Sequence, residues 1–340
     1  MTYRKLLFPL IIIFLIIIIW IIRDAALKNI KVSISGQTMG TTYHITYLQD
    51  QVKNYKPGID SLLKAWNLSM STFIPESEIS YFNTHDTLVY RSKYFLPVLQ
   101  KSKEVYEATG GAFDPTVMPL VDAWGFGPKN LPLPDSSQVD SLLQYVGFDK
   151  IRFDSLKVWK TRHGVQLDFS AIAKGYGVDV VGEYLESKGI QNFMVEIGGE
   201  ITCKGKNDRG KPWSTGIEDP TVELSETRIS AVLELNDRSI ATSGNYRNFY
   251  VKNGRKYFHE ISPFTGYPAE QDLLSASVIA DQCITADGFA TGFMVLGLEK
   301  SKRVLEKRKD LDAYFIYSGK NGELKTYRTE PLRNSLKKED

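Results

Sequence analysis

Leu6 to Ile22 form an almost unbroken apolar run, interrupted only by Pro9 and Trp20. A stretch this uniform has no polar face to turn toward water, so it divides the chain into a part that sits in lipid and a part that does not. About 17 residues at roughly 1.5 Å each give about 25 Å of helix, enough to cross the hydrocarbon layer with little tilt. Arg4 and Lys5 precede the run, while Arg23 is offset at once by Asp24, which predicts the amino terminus inside and the body of the protein outside. Trp20 suits the far interface. A cleaved secretory signal would end in small residues, whereas here Trp20, Ile21, Ile22, Arg23 and Asp24 close the run. Residues 1–28 therefore read as an uncleaved single-pass anchor and short linker, residues 29–330 as the working domain, and residues 331–340 as a flexible polar tail.

The remainder of the 340 residues has ample apolar content for a core, and a formal charge of +2 with acids and bases interspersed. No basic face stands out, which excludes nucleic acid as an expected partner. Cys203 and Cys283 are the only cysteines, so no cysteine near the apolar run could carry a lipid, and spacing alone does not decide whether these two pair. The four histidines are far apart and none has a zinc-ligand spacing.

After the anchor, Ile30, Val32 and Ile34 alternate with polar residues, and β-forming residues continue from Thr41 to Leu48. With Gly36 and Gly40 as turn residues, this predicts an opening hairpin. Helical patterns follow at 59–69, 93–108, 140–145, 174–188 and 284–296, with Gly110 placed where a helix stops. Strand-like runs fall at 150–153, 165–169, 193–197, 228–235 and 273–279. Many strands are joined by turns in place of helical crossovers, so the pattern is α+β with mostly antiparallel sheets.

Six stretches hold more glycine, hydroxyl and carboxylate residues than packing requires: GQTMGTTY from Gly36, TGGAFDPT from Thr109, LDFSAIAKGYGVD from Leu167, EIGGE from Glu196, HEISPFTGYP from His259 and ADGFATG from Ala286. In the last, Asp287 and Thr291 are four apart and share a helix face, where a carboxylate and a hydroxyl could hold a hard cation such as Mg²⁺. An acid in a first turn and a hydroxyl bonded to its own backbone would give the same pattern. Around Lys174 a turn leads into a helix whose free N–H groups and ammonium could hold a pyrophosphate, or could be an ordinary surface junction.

Taken in this order, the motifs resemble those of the FAD:protein FMN transferases, the ApbE-type family once described as thiamine biosynthesis lipoproteins. TMGTTY, GAFDPT, LD...AKGY.VD, GGE, ATSGNY from Ala241, P.TG.P and AD..AT carry the likeness, which runs from about Gly36 to Leu296. It implies a duplicated T-fold-like architecture. It also implies Mg²⁺ held by the Ala171 carbonyl with Asp287 and Thr291, and FAD contacts from Met39, Ala112, Phe113, Asp114, Asp168, Lys174 and Ile261. Phe73 falls where the family commonly has a flavin-lining tyrosine. The family's H-x-I-D-P turn reads His259, Glu260, Ile261, Ser262, Pro263 here, so a hydroxyl replaces a carboxylate at Ser262.

The reaction so implied moves FMN from FAD onto a threonine of an acceptor protein, releasing AMP. His259 is the candidate general base, since imidazole titrates near neutrality. The setting implied is the bacterial cytoplasmic membrane, with the catalytic domain on its periplasmic or outer side and the acceptor in a membrane respiratory or reductase complex. Two alternatives are an exported FAD-binding module without activity and a flavin carrier, in which Thr291 of the GFAT segment would itself bear FMN; the apolar helical run from Phe289 to Leu296 leaves a flavin little room there.

Overall fold

The alternation that opens the globular part folds into a hairpin, β1 (Ile30–Thr38) and β2 (Thr41–Gln49), paired antiparallel along its whole length. Its two-residue turn is Met39 and Gly40, both at positive φ, the geometry whose twist matches that of the flanking strands. Gly36, expected in the turn, lies inside β1, where a Cβ would come within 2.6 Å of the Tyr43 ring. The computed structural model describes residue 14 and residues 30–51, 53–129, 131–220, 228–245, 249–252, 255–319 and 321–339. The expected anchor, 1–28, lies outside the described residues apart from residue 14, and among the described residues no helix is long and apolar enough to cross a membrane.

The chain continues through α1 (Lys56–Met70), α2 (Glu78–Thr84), β3 (Thr87–Val89), α3 (Phe95–Ala108), α4 (Met118–Ala123), α5 (Ser136–Leu143), β4 (Ile151–Phe153), β5 (Lys157–Lys160) and α6 (Ser170–Ser187). Then come β6 (Asn192–Ile197), β7 (Glu200–Lys204), β8 (Trp213–Glu218), β9 (Ile229–Leu235), β10 (Ser239–Gly244), β11 (Phe249–Lys252), β12 (Arg255–Phe258) and β13 (Leu273–Ala280). The last elements are α7 (Cys283–Leu296), α8 (Leu298–Lys307), β14 (Asp312–Ser318), β15 (Leu324–Arg328) and β16 (Leu336–Glu339).

An eight-stranded sheet in the order β1-β2-β6-β7-β10-β13-β14-β15 organises the molecule, with every neighbouring pair antiparallel. Its two halves repeat one plan. β1 and β2 are followed by α6 and then β6 and β7; β10 and β13 are followed by α7 and α8 and then β14 and β15.

Alternation along the strands feeds two cores. Ala276, Val278, Ala313 and Phe315 face the helices, while their neighbours Ile279, Tyr314 and Ile316 face a small sheet of β16, β9 and β8 on the other side. Burial on both faces explains why β13 reads as a nearly continuous apolar run and not as an alternation. The same sheet keeps the cysteines apart: Cys203 lies in the core beneath β8 and β9, Cys283 in the helical core, and both are free thiols.

Three expectations change. The run 165–169 is no strand; Leu167 is bonded through both its N–H and its carbonyl to the Asn83 side chain, at 2.7 and 2.8 Å, and Asp168 N–H donates to the Pro115 carbonyl at 2.7 Å. Side-chain and loop partners thus take the place of a neighbouring strand. The helix expected at 140–145 starts earlier, at Ser136, because Asp135 and Gln138 form a reciprocal capping box. The tail expected to be flexible contains β16, which pairs with β9 and closes the edge of the small sheet.

Candidate active site

Helices α6 and α7 are fastened to one another by carboxylates, each of which accepts from the other helix's backbone. Asp179 in α6 accepts from Cys283 N–H and Ile284 N–H, both at 2.8 Å, and so satisfies the first turn of α7. One turn further on, Asp287 Oδ2 accepts from Gly175 N–H in α6 at 2.8 Å. The helices approach so closely that a Cβ on Gly175 would lie 2.4 Å from the Cys283 carbonyl oxygen. At the start of α6, Asp168 accepts from the Ser170 N–H at 2.9 Å and the Ser170 hydroxyl at 2.8 Å, which fixes the turn that presents the Ala171 carbonyl.

Thr291, four residues along α7 from Asp287, has its hydroxyl 3.5 Å from the Ala171 carbonyl oxygen and 3.1 Å from the Ser243 hydroxyl at the end of β10. The three residues proposed from the sequence as a cation site are therefore gathered at one place from two helices. Burial raises the Asp287 carboxyl above its usual range, against the pull of Lys174 and the Gly175 N–H.

Lys174 reaches across to form an ion pair with Glu200, the first residue of β7. The turn between β6 and β7 consists of Gly198 and Gly199, both at positive φ, where a side chain would be strained. A Cβ on Gly198 would also come within 2.8 Å of Thr41 Cγ2, so the turn packs against β2 only without a side chain there. Burial pushes Glu200 up to about 7, against the neighbouring ammonium. Burial works to lower Lys174, but the Glu200 and Asp287 carboxylates hold it above its ordinary value. Oε2 of Glu200 has no hydrogen-bond partner among the described residues and lies buried in the cavity wall.

These groups line one cavity of about 560 Å³. Ala112, Phe113, Asp114, Ile261 and His259 also line it. Asp114 accepts from the Thr116 N–H at 2.8 Å, the Thr116 hydroxyl at 2.6 Å and the Phe148 N–H at 3.2 Å, so it fixes the loop that carries Ala112 and Phe113. Burial pushes its carboxyl up to about 6 despite those bonds. His259 stands beside Phe126, ring centroids 6.4 Å apart, with its Nδ1 3.2 Å from Glu260 Oε2.

Two of the sequence candidates are not among the residues lining this cavity. Met39 rests on Gly177 of α6, where a Cβ would come within 2.3 Å of its Cε, and Phe73 is 67% exposed in the loop after α1. Three residues were missed as site residues. Asp179 was detectable as an acid among the buried Val178, Val180 and Val181, a position where an unpaired carboxylate would not persist. Glu200 follows a glycine pair at a strand start, and Glu260 adjoins the candidate base; neither pattern distinguishes a site residue from a surface acid until the burial is seen.

The same chain matches the model of the ApbE family over residues 39–315. It is 44% identical over 314 residues to the FAD:protein FMN transferase of Haemophilus influenzae, covering 88% of this chain and 90% of that protein. To the FAD:protein FMN transferase of Escherichia coli it is 33% identical over 294 residues, covering 83% of each. Among solved structures, the flavin transferase ApbE from Vibrio cholerae superposes with a TM-score of 0.82 at 38% identity, over 91% of this chain and 100% of that one. By sequence, fold and the grouping of its motifs around one cavity, the chain belongs to the ApbE family.

Proposed function

We propose that the chain is an FAD:protein FMN transferase, which joins the FMN half of FAD to a threonine hydroxyl of an acceptor protein and releases AMP. The observation that carries this reading is the gathering of the Ala171 carbonyl, Asp287, Thr291 and Lys174 in the lining of one cavity, which His259 also lines. Relatives named for this activity match more than four fifths of the chain.

A mixed set of one carboxylate, one carbonyl and one hydroxyl fits Mg²⁺, because all three donors are hard oxygens and the Asp287 charge is otherwise only part-balanced by Lys174. When bound there, Mg²⁺ would neutralise charge developing on the pyrophosphate oxygens. Lys174 holds the diphosphate by charge. His259 takes the proton from the acceptor threonine as its oxygen attacks the FMN phosphorus. The phosphorus–oxygen bond to the AMP phosphate breaks, AMP departs with the bonding electron pair, and the flavin is left in phosphoester linkage. Water competes for the same phosphorus when no threonine is present, giving FMN and AMP.

The finer parts of the reading share one support each. Duplicated T-fold-like halves are supported by the repeated hairpin, helix, hairpin plan of the eight-stranded sheet. A single-pass anchor in the bacterial cytoplasmic membrane, with this domain on the outer or periplasmic side, is supported by the apolar run and the basic residues before it. We place the acceptor in a membrane respiratory or reductase complex, a proposal that rests on that location. Resistance to carbonate extraction, with protease access only from outside, checks the topology; release into the carbonate wash refutes it.

The test of function is to incubate the protein with FAD, Mg²⁺ and an acceptor domain and follow both AMP and in-gel fluorescence. A fluorescent acceptor with stoichiometric AMP supports the transferase. Fluorescence that stays on this chain alone indicates the carrier, and FAD bound without release of AMP indicates the inactive binding module.

A further inference from the structure

Glu260 is the most anomalous side chain of the cavity wall. It is 5% exposed, and neither carboxylate oxygen makes a hydrogen bond among the described residues. The charge that approaches it is the His259 ring, Nδ1 to Oε2 at 3.2 Å. Its own backbone needs no help from the side chain, because the Glu260 carbonyl accepts from Ala269 N–H at 2.7 Å and the next turn is closed by Ser262 N–H to the Tyr267 carbonyl at 2.8 Å. A buried carboxylate without partners lowers stability, and folding gives no reason to keep this one.

Resting on the transferase reading above, we infer that Glu260 is a positioning residue for His259: its ionised carboxylate, at ion-pair distance from Nδ1, favours the proton on that nitrogen so that the basic lone pair lies on Nε2, and stabilises the imidazolium formed when the threonine proton is taken. The arrangement is an acid–imidazole pair built from adjacent residues, and it acts on the reaction through the histidine alone. Burial pushes the Glu260 carboxyl up to about 8, so the carboxylate that serves His259 forms as pH rises toward that value. A dry carboxylate is stabilised more by a neighbouring positive charge than a solvated one, so the pair gains most at the moment the imidazole becomes charged.

The test measures FMN transfer and AMP release for the wild type, Glu260→Gln, His259→Ala and the double variant, with FAD affinity and thermal melting in parallel. Glu260→Gln is expected to lower kcat about tenfold or more with FAD affinity unchanged. Loss of a neighbouring carboxylate lowers the imidazole pKa, so the ascending limb of the pH profile moves to lower pH. Adding Glu260→Gln to His259→Ala is expected to change the residual rate less than about twofold, which a merely structural role would not produce. A wild-type rate and profile in Glu260→Gln, or the same fold-loss in both backgrounds, overturns the inference. If Glu260→Gln does not fold, Glu260→Asp, which keeps the charge and shortens the reach, serves instead; wild-type kcat in it overturns the inference, and a reduced kcat with unchanged FAD affinity supports it. Wild-type protein that moves no FMN fails the transferase reading and this inference together, whereas wild-type transfer with an indifferent Glu260 fails this inference alone.

Discussion

The N–H of Gly175 donates to Oδ2 of Asp287 at 2.8 Å, across a helix contact that leaves no space for a side chain on the donor. The hydrogen bond and the close approach are one requirement, since α6 cannot come near enough to reach the carboxylate unless residue 175 lacks a Cβ. Gly175→Ala would place that carbon 2.4 Å from the Cys283 carbonyl oxygen and 2.7 Å from Asp287 Cβ, neither of which is a flexible side-chain end. The expected cost is about 1–3 kcal/mol of stability, as for overpacked cores. Thermal melting and FMN transfer should both fall, and an alanine variant that melts with the wild type would show that the helices can part without harm.

Asp287→Asn keeps an oxygen able to accept from Gly175 N–H but removes the charge proposed to face the cation. Stability should change little, while the Mg²⁺-dependent part of FMN transfer should disappear across a magnesium titration. Thr291→Val, close in volume, removes the hydroxyl that lies between Ser243 and the Ala171 carbonyl. Its expected effect is a rise in the magnesium concentration needed for half-maximal transfer, by about tenfold, without a comparable fall in the rate at saturation. A titration curve identical to wild type in both variants would remove these residues from the cation site.

What the sequence conveyed well were features set by local chemistry. The hairpin before Gln49, the stop of α3 at Gly110 and the shared face of Asp287 and Thr291 all follow from periodicity or from a glycine at positive φ. What it concealed depends on contacts between distant residues. Val165 to Phe169 has the composition of a strand, but its backbone is taken up by distant partners, the Asn83 side chain 84 residues from Leu167 along the chain and the Pro115 carbonyl. The tail at Leu336 reads as polar and loose, yet β9 offers it an open edge. At the site, the residue types were legible and their neighbours were not: nothing local to Phe73 reveals that its ring is exposed, or that Asp179 reaches the first turn of α7.

Stability should respond to pH through Glu260. Burial places its folded-state value at about 8, above the ordinary glutamate range near 4.5, so between those limits the folded protein holds a proton that the unfolded chain has lost. The folded state therefore binds more protons there, and stability falls as pH rises, by at most about 1.4 kcal/mol per pH unit from this group. Glu260→Gln should flatten that part of the curve and melt at or above the wild-type temperature near pH 8. Urea denaturation at half-unit steps between about pH 5 and 8 measures the slope; an equal slope in both proteins would show that the carboxyl titrates normally.

Lys174 and Glu200 separate folding from chemistry most cleanly. Each is the other's partner in a site where Glu200 is 2% exposed and keeps one oxygen without a hydrogen bond among the described residues, so removing only the lysine leaves a buried charge uncompensated. Lys174→Met should destabilise by about 3–5 kcal/mol, the range for breaking a buried pair from one side. Lys174→Met combined with Glu200→Gln removes both charges and should regain most of that stability, because a neutral amide is far less costly to bury than an unpaired carboxylate. The double variant should nevertheless transfer FMN at least about a hundredfold more slowly, since the ammonium proposed to stabilise the diphosphate is gone. Melting temperature and transfer rate measured on the same samples distinguish the two roles: recovery of both together would make the pair purely structural, and recovery of neither would mean that the cavity wall does not accommodate Glu200→Gln.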